Sequence, residues 1–410
     1  MMKLLIKLGW RNIWRNKRRS LLTLIAIAFA TFSAIAMRGI QLGTYDVNIR
    51  TAVEMFTGYI QIQKEGYQSN PSIRKSYRFS DEIQSVLSDR EKIRSFTPRV
   101  YADGLISYKD KSLGAAIFGI DPSTEKKTTK IMEKLNSGFF FSSDTSMEIV
   151  IGRKLLHNLS AGLGDTIVIL AQGYDGALGN LKFEISGTIK TGSQEMDAMG
   201  VFMGIKTAQD LLSLYGKIHA VALNVEELDN IPEVQSYLRS AVNTEELAVL
   251  NWEELMPDFK ETIQFDNVSG IFFLGILFVI VTFGILNTVL MSVTERFKEF
   301  GVTLSIGMPQ INLVYLVFIE TIFITLLGLL VGNIIGWGIN IYIYLNPIEF
   351  GGNLSEMYAE YGFLPLIESS LDLSIFINNS LMILLVAILA AIYPAYKVYK
   401  LEPLKGLRYT

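Results

Sequence analysis

Few side chains in this chain could do covalent or metal chemistry. Cysteine is absent, which excludes a disulfide framework, a thiolate metal site and a thiol nucleophile. His157 and His219 are the only histidines, so a multi-histidine metal centre is excluded too. No Ser-His-Asp set can be defended around them, and isolated histidines fit satisfied surface or core positions better. No G-x-x-x-x-G-K-S/T stretch occurs, so the chain carries no phosphate loop for ATP. The tetrapeptide Leu159-Ser160-Ala161-Gly162 reads better as a helix ending at glycine than as a nucleotide signature. The expectation is a chain with no catalytic residue, no metal and no cofactor of its own.

What remains is chemistry of contact. The run Glu295, Arg296, Phe297, Lys298, Glu299, Phe300, Gly301, closed by Gly307, concentrates charge and aromatic rings between two apolar stretches. Glu295 and Glu299 are four apart, as are Arg296 and Phe300, so a short helix here carries charge on one face. Phe297, Phe300 and Leu304 fall on the other. Such a helix lies on a membrane surface and suits docking into a groove of a soluble partner; taken alone, the segment also reads as a polar loop. Glu320, inside the next apolar stretch, invites a proton relay. The spans offer no second ionisable group apart from a peripheral Arg38, so a helix-packing hydrogen bond is favoured, with Asn287, Asn333 and Asn340 as further polar positions. Gly328, Gly332 and Gly336 recur every four residues and predict close contact with another helix.

The elements that must hold these residues are membrane helices. Half the residues are hydrophobic, and charged residues are 19%, below the roughly 25% of soluble domains. Mean hydropathy is +0.32, and the net charge of −3 hides a sharp partition along the chain. Residues 1–20 hold Lys3, Lys7, Arg11, Arg15, Lys17, Arg18 and Arg19 and no acid, with Ile6, Trp10, Ile13 and Trp14 interleaved. This predicts an amphipathic helix in the headgroup region, with no need for nucleic acid to explain its charge. A cleavable signal peptide is disfavoured by the long apolar run without a small-x-small site. Spans are expected at 21–43, 270–293, 312–345 and 374–396, each long enough to cross a roughly 30 Å core. The 346–373 connection holds Glu349, Glu356, Glu360, Glu368 and Asp372 and no Lys or Arg, whereas Lys397, Lys400, Lys405 and Arg408 follow the last span. The basic bias places both termini and the 294–311 connection inside, and the 346–373 loop and residues 44–267 outside.

Residues 44–267 alternate short strand patterns (59–63, 166–170, 220–225) with helical ones (81–94, 152–159, 207–215, 231–242). Gly104, Asp121-Pro122, Gly164-Asp165 and Asp175-Gly176 punctuate them as turns. The reading is a large extracytoplasmic α+β domain of two subdomains. One, about 113–206, is inserted in the other, between strands at 98–108 and 218–225.

TERFKEFGVTLSIGMPQ (294–310) and the span with Glu320 resemble the signature region of the FtsX-like permeases, which include MacB-type exporters and Lol-type lipoprotein-releasing permeases. WRNIWRNKRRSLLTL (10–24) resembles that family's opening helix and YPAYKVYKLEPLKGLRY (393–409) its closing motif. Phe118 to Pro122, Glu148 to Gly152, Gly164-Asp165 and 187–197 resemble its outer-domain arrangement. The layout is most similar to Lol-type permease subunits, with four spans and a separate ATPase chain, whereas MacB carries its ATPase fused at the N-terminus. Two departures stand out. The family's E-I-G-x-x-R-A-x-G arginine is replaced here by the Thr303-Leu304-Ser305 region. The proline-bearing hook of the carrier-binding Lol permease corresponds to a short, proline-free loop with Gly173, Tyr174, Asp175 and Gly176, which reads as a plain hairpin turn.

The resemblance implies a permease subunit in the bacterial inner membrane, working with two copies of an ATPase that binds ATP and magnesium, and with a second permease copy or a related permease. Glu295, Arg296, Lys298 and Glu299 would supply polar contacts to the ATPase, and Phe297 and Phe300 would anchor in its groove. The preferred work is release of lipoproteins, with Met37, Ile40, Phe272 and Phe273 as acyl-chain contacts and a periplasmic carrier or adaptor as a further partner. MacB- or FtsX-type mechanotransmission is the alternative, and an ATPase-independent membrane sensor is the alternative of another class.

Overall fold

The structure is a computed structural model that describes all residues except 1, 89–92, 227, 244, 353, 355, 356, 359–364 and 403–410. The basic positions Lys405 and Arg408, the acidic Glu356 and Glu360, and the end of the closing motif lie outside the described residues. The chain divides into a membrane unit (Met1–Asp46, Ile263–Glu349, Leu366–Thr410) and a second unit (Val47–Thr262, Phe350–Pro365).

Helix α1 (Met2–Arg15) has three faces rather than the two expected. Lys3, Lys7, Arg11 and Arg15 are exposed, as are Ile6, Trp10 and Trp14, whereas Leu5, Gly9 and Ile13 form the buried stripe. Asn16 separates α1 from α2 (Lys17–Ala52), the first helix long and apolar enough to cross a membrane.

In the second unit, β1 (Ile60–Lys64), β2 (Tyr77–Arg78) and α3 (Asp81–Ser88) lead into β3 (Ile93–Tyr108). β3 starts five residues earlier than the strand expected at 98–108, so the helical pattern over 81–94 ends before it. β4 (Lys111–Ile120), α4 (Pro122–Thr128), β5 (Leu135–Gly138), β6 (Glu148–Gly152), α5 (Arg153–Leu159), β7 (Thr166–Gln172), β8 (Leu178–Ile189), α6 (Gln194–Met199), β9 (Gly200–Gly204) and α7 (Ile205–Leu211) follow. β10 (Lys217–Ile218), β11 (Ala220–Val225), α8 (Ile231–Ala241), β12 (Leu247–Asn251) and α9 (Trp252–Leu255) complete the unit's main elements.

The pairings β3–β4–β9–β6–β8–β7–β3 close on themselves as a ring through the second half of β3, while β11, β1 and β12 continue from its first half, on the same edge as β7, as an open sheet. The strands β4 to β9 thus form one subdomain only by borrowing β3 from the other. The junction is marked by a buried ion pair. Arg99 of β3 donates to Glu125 of α4 at 2.6 and 3.1 Å, with both side chains fully buried and Phe56 stacked 3.8 Å from the guanidinium. Burial alone would depress Arg99, but the Glu125 carboxylate reverses this and holds it above its usual value. His219 is a fully buried core histidine whose Nδ1 accepts from the Tyr101 N–H at 3.1 Å; burial pushes its pKa down to about 4.

The membrane unit resumes with α10 (Pro257–Glu295), α11 (Phe297–Ser305), α12 (Gln310–Leu345) and α13 (Leu373–Tyr399). Helices α2, α10, α12 and α13 are the four candidate spans. The glycine stripe does what its spacing predicts. A Cβ at Gly328, Gly332 or Gly336 would lie 2.7, 2.5 or 2.9 Å from atoms of Ile27, Thr31 or Ile35 of α2, so only glycine permits this approach. One turn on, the roles reverse: Asn340 of α12 sits against Gly39 of α2 and donates to the Ile35 carbonyl at 3.3 Å. Asn333 donates to Ser380 of α13 at 2.9 Å.

Candidate functional site

The 294–311 connection is a helix, not a loop. α10 stops at Glu295, and Arg296 (φ −99°, ψ 8°) departs from helical geometry for one residue before α11 begins. α11 ends where Gly307 takes φ +102°, a conformation glycine adopts without a Cβ penalty, with the Gly307 N–H bonded back to Leu304.

The apolar face of α11 points into its own bundle. Phe297 and Phe300 are 9% and 2% exposed and pack with Leu5, Val293, Leu313, Leu316 and Val398. This corrects the expectation that these rings anchor in a partner's groove. Each aromatic ring buries on the order of 150–250 Å², and the neighbouring helices supply that burial within the chain. The face turned away carries Lys298, Val302 and Ile306, each four apart, with Ile306 83% exposed.

Most of the charges are also engaged internally. Arg296 donates to both Glu320 oxygens at 2.8 Å, and Asn12 of α1 donates to the same carboxylate at 2.6 Å. Arg296 is therefore not the free polar contact expected, and Glu320 has the ionised partner that a search confined to the spans could not find. Arg15 donates to both Glu299 oxygens at 2.8 and 2.6 Å, and Arg19 pairs with Glu295. Burial would raise Glu299, but hydrogen bonds and charge from Arg15 and then Arg296 hold it below its usual value. A small cavity of about 50 Å³ is lined by Asn12, Arg19, Ser292, Arg296 and Glu320, among others, enough for a bridging water. Among the described residues, Lys298 alone of the four expected contact charges has no ion-pair partner. The basic stripe of the first helix does not announce these roles for Arg15 and Arg19, although their spacing of four matches that of Glu295 and Glu299.

The other expected residues lie elsewhere. Asn287 is exposed on α10 and makes no helix-packing hydrogen bond among the described residues, contrary to expectation. Phe272 and Phe273 are 66% and 60% exposed, while Met37 and Ile40 are half-buried. The Gly173–Gly176 loop is the hairpin turn between β7 and β8: the Gly173 N–H donates to Ala177, Gly176 has φ +84°, and the Tyr174 N–H donates to Leu212. Among the described residues, no group of His, Asp and Glu could hold a metal ion.

Four apolar helices, a large α/β domain between the first and second of them, and a short helix locked between α10 and α12 define a multi-span membrane permease. Residues 271–403 match the FtsX-like permease C-terminal family, and residues 20–241, more than half the chain, match the MacB-like periplasmic core domain. The chain belongs to this family of ABC transporter permeases, which work with a partner ATPase. It is 22% identical to the lipoprotein-releasing system transmembrane protein LolC of Neisseria meningitidis serogroup B, over 96% of each chain. It is 24% identical to the ABC transporter permease YknZ of Bacillus subtilis, over 98% of each. It is 23% identical to the macrolide export ATP-binding/permease protein MacB of Bdellovibrio bacteriovorus, over 98% of this chain and 61% of that protein.

Proposed function

We propose that the chain transmits work done by two copies of a separate ATPase, which bind ATP and magnesium, to release lipoproteins from the bacterial inner membrane. Both termini are then cytoplasmic, and the chain itself holds no nucleotide or metal and catalyses nothing. The observation that carries this reading is the geometry of α11: its aromatic face and most of its charges fix it to α1, α10 and α12, leaving Lys298, Val302 and Ile306 for a partner. The end-to-end match with a lipoprotein-releasing subunit supports the cargo class. The match with MacB supports a second reading, mechanotransmission that drives export or envelope signalling. An ATPase-free sensor would leave the exposed stripe of α11 without a role.

Asn287, an amide in an apolar stretch of α10 with no side-chain partner among the described residues, supports a second permease copy or a related permease packing on that face. Met37, Ile40, Phe272 and Phe273 remain the proposed contacts for cargo acyl chains, and a periplasmic carrier or adaptor the proposed recipient. Purifying the chain from membranes and identifying what co-elutes tests the whole. An ATPase, a second permease and lipid-modified proteins are expected, and their absence overturns it. Val302→Asp with Ile306→Asp should cost at least about tenfold in ATPase retention, as the loss of a buried apolar anchor does. Retention at the wild-type level would refute the role of α11.

A further inference from the structure

A second cavity, of about 650 Å³, opens between α2, α10 and α13 at the end of the bundle remote from α11. Its lining is graded along the helices. Arg38, Ser374 and Asn378 lie at the end nearest the α2 C-terminus, and Phe278, Met382 and Leu385 lie farther along α10 and α13. Ser374 and Leu385 are eleven residues apart on one helix, about 16 Å, close to one leaflet of a roughly 30 Å hydrocarbon core. The volume lies within the ~300–1,000 Å³ typical of sites for small molecules.

The polar end is not neutral. Arg38 makes no ion pair among the described residues. Its Nη1 donates to the amide oxygens of Gln41 at 2.8 Å and Asn267 at 2.6 Å, and its other nitrogens are uncommitted. Asp266, the acid of this cluster, instead accepts from Tyr45 and from Gln41 at 3.2 Å. Asn378 and Ser374 are exposed at the same rim. A guanidinium with free donors above an apolar slot one leaflet deep matches an anion carrying a long hydrocarbon chain.

We propose that this cavity is a site for a single anionic glycerophospholipid, its phosphate on Arg38 and one acyl chain running between α10 and α13 toward Phe278 and Leu385. The site is independent of the proposed cargo, because it rests only on the helices and on Arg38.

Native mass spectrometry of the full-length chain, delipidated and titrated with phosphatidylglycerol, tests the site. The wild type should retain one lipid per chain. Arg38→Gln should lower occupancy about tenfold, the loss of a charge-assisted hydrogen bond, with partial rescue by Arg38→Lys. Met382→Trp should fill the slot and abolish binding, whereas Leu389→Trp, exposed on α13 outside the cavity, should not. Diacylglycerol, which has the chains without the phosphate, should not compete. Wild-type binding by both Arg38→Gln and Met382→Trp, or equal binding of diacylglycerol, overturns the proposal. So does cross-linking of Met382→Cys to a second copy; the chain's lack of native cysteine makes that readout clean.

Discussion

Replacing Glu320 by glutamine removes the one carboxylate that faces Arg296 bidentately, while keeping the shape of the side chain. The two side chains are 11% and 15% exposed, so Arg296 would keep its charge in a poorly solvated position. Breaking such a pair costs about 3–5 kcal/mol. The low end applies, because Glu299 still stands 3.4 Å from Arg296 Nε and the new amide oxygen can still accept one bond. At a rough 2–4 °C per kcal/mol, an apparent Tm drop of about 6–12 °C is expected for the membrane unit. Arg15→Gln is the internal control. It breaks the Arg15–Glu299 pair, whose side chains are both 51% exposed, and such pairs contribute only about 0–1 kcal/mol. The assay is thermal unfolding of the full-length chain in nanodiscs, read by near-UV signals, with Arg296→Met plus Glu320→Gln as the double variant. Removing both charges should restore at least half the loss. Equal shifts for Glu320→Gln and Arg15→Gln, or a double variant less stable than the sum of the singles, would refute the reasoning.

Gly332→Leu should split α2 from α12, because a Cβ there already sits 2.5 Å from Thr31. A loss of about 1–3 kcal/mol is expected, against no change for Gly338→Leu, where a Cβ meets nothing within 4 Å. His219, held neutral with its pKa near 4, binds a proton more readily when unfolded, so its contribution is complete above pH 6.5 and is lost as pH falls toward 4. The wild type should lose about 2 kcal/mol between those two conditions relative to His219→Gln, measured by denaturant unfolding at pH 7 and pH 4.5. Glu125→Gln should destabilise the ring and the open sheet together, since Arg99 is left charged at their shared strand; hydrogen exchange accelerated in one and unchanged in the other would contradict this.

The sequence made the four spans, the glycine stripe and the short helix readable, because each follows from a period that backbone geometry imposes. Which face of α11 turns inward was not readable. Phe297 and Phe300 form the more conspicuous stripe and so suggest a partner, yet their larger apolar area is what the chain buries for itself, leaving the modest pair Val302 and Ile306 outside. Arg15 and Arg19 looked like headgroup contacts because their own helix explains them, and only folding brings them to Glu299 and Glu295. Glu320 found its partner 24 residues away, outside any span. In the other unit, the shared strand β3 was read short because Pro98 and Gly104 interrupt its pattern, and a ring closed through a borrowed strand leaves no period in sequence.

The α2–α12 contact repeats every four residues, and a contact with that period can in principle slip by a turn and find its register again. Here it cannot. A slip in one direction sets Asn340 against Ile35. A slip in the other carries it to Gly43, where the backbone of Ser369 and Ser370 already occupies the hollow, 2.4 Å from any Cβ placed there. The repeat supplies intimacy and its two ends supply a detent, so α2 and α12 travel as one strut. Displacement within the membrane unit must then be taken up at α10, the span that carries the widest apolar exposure and meets α2 this closely only at Gly270, against Gln41.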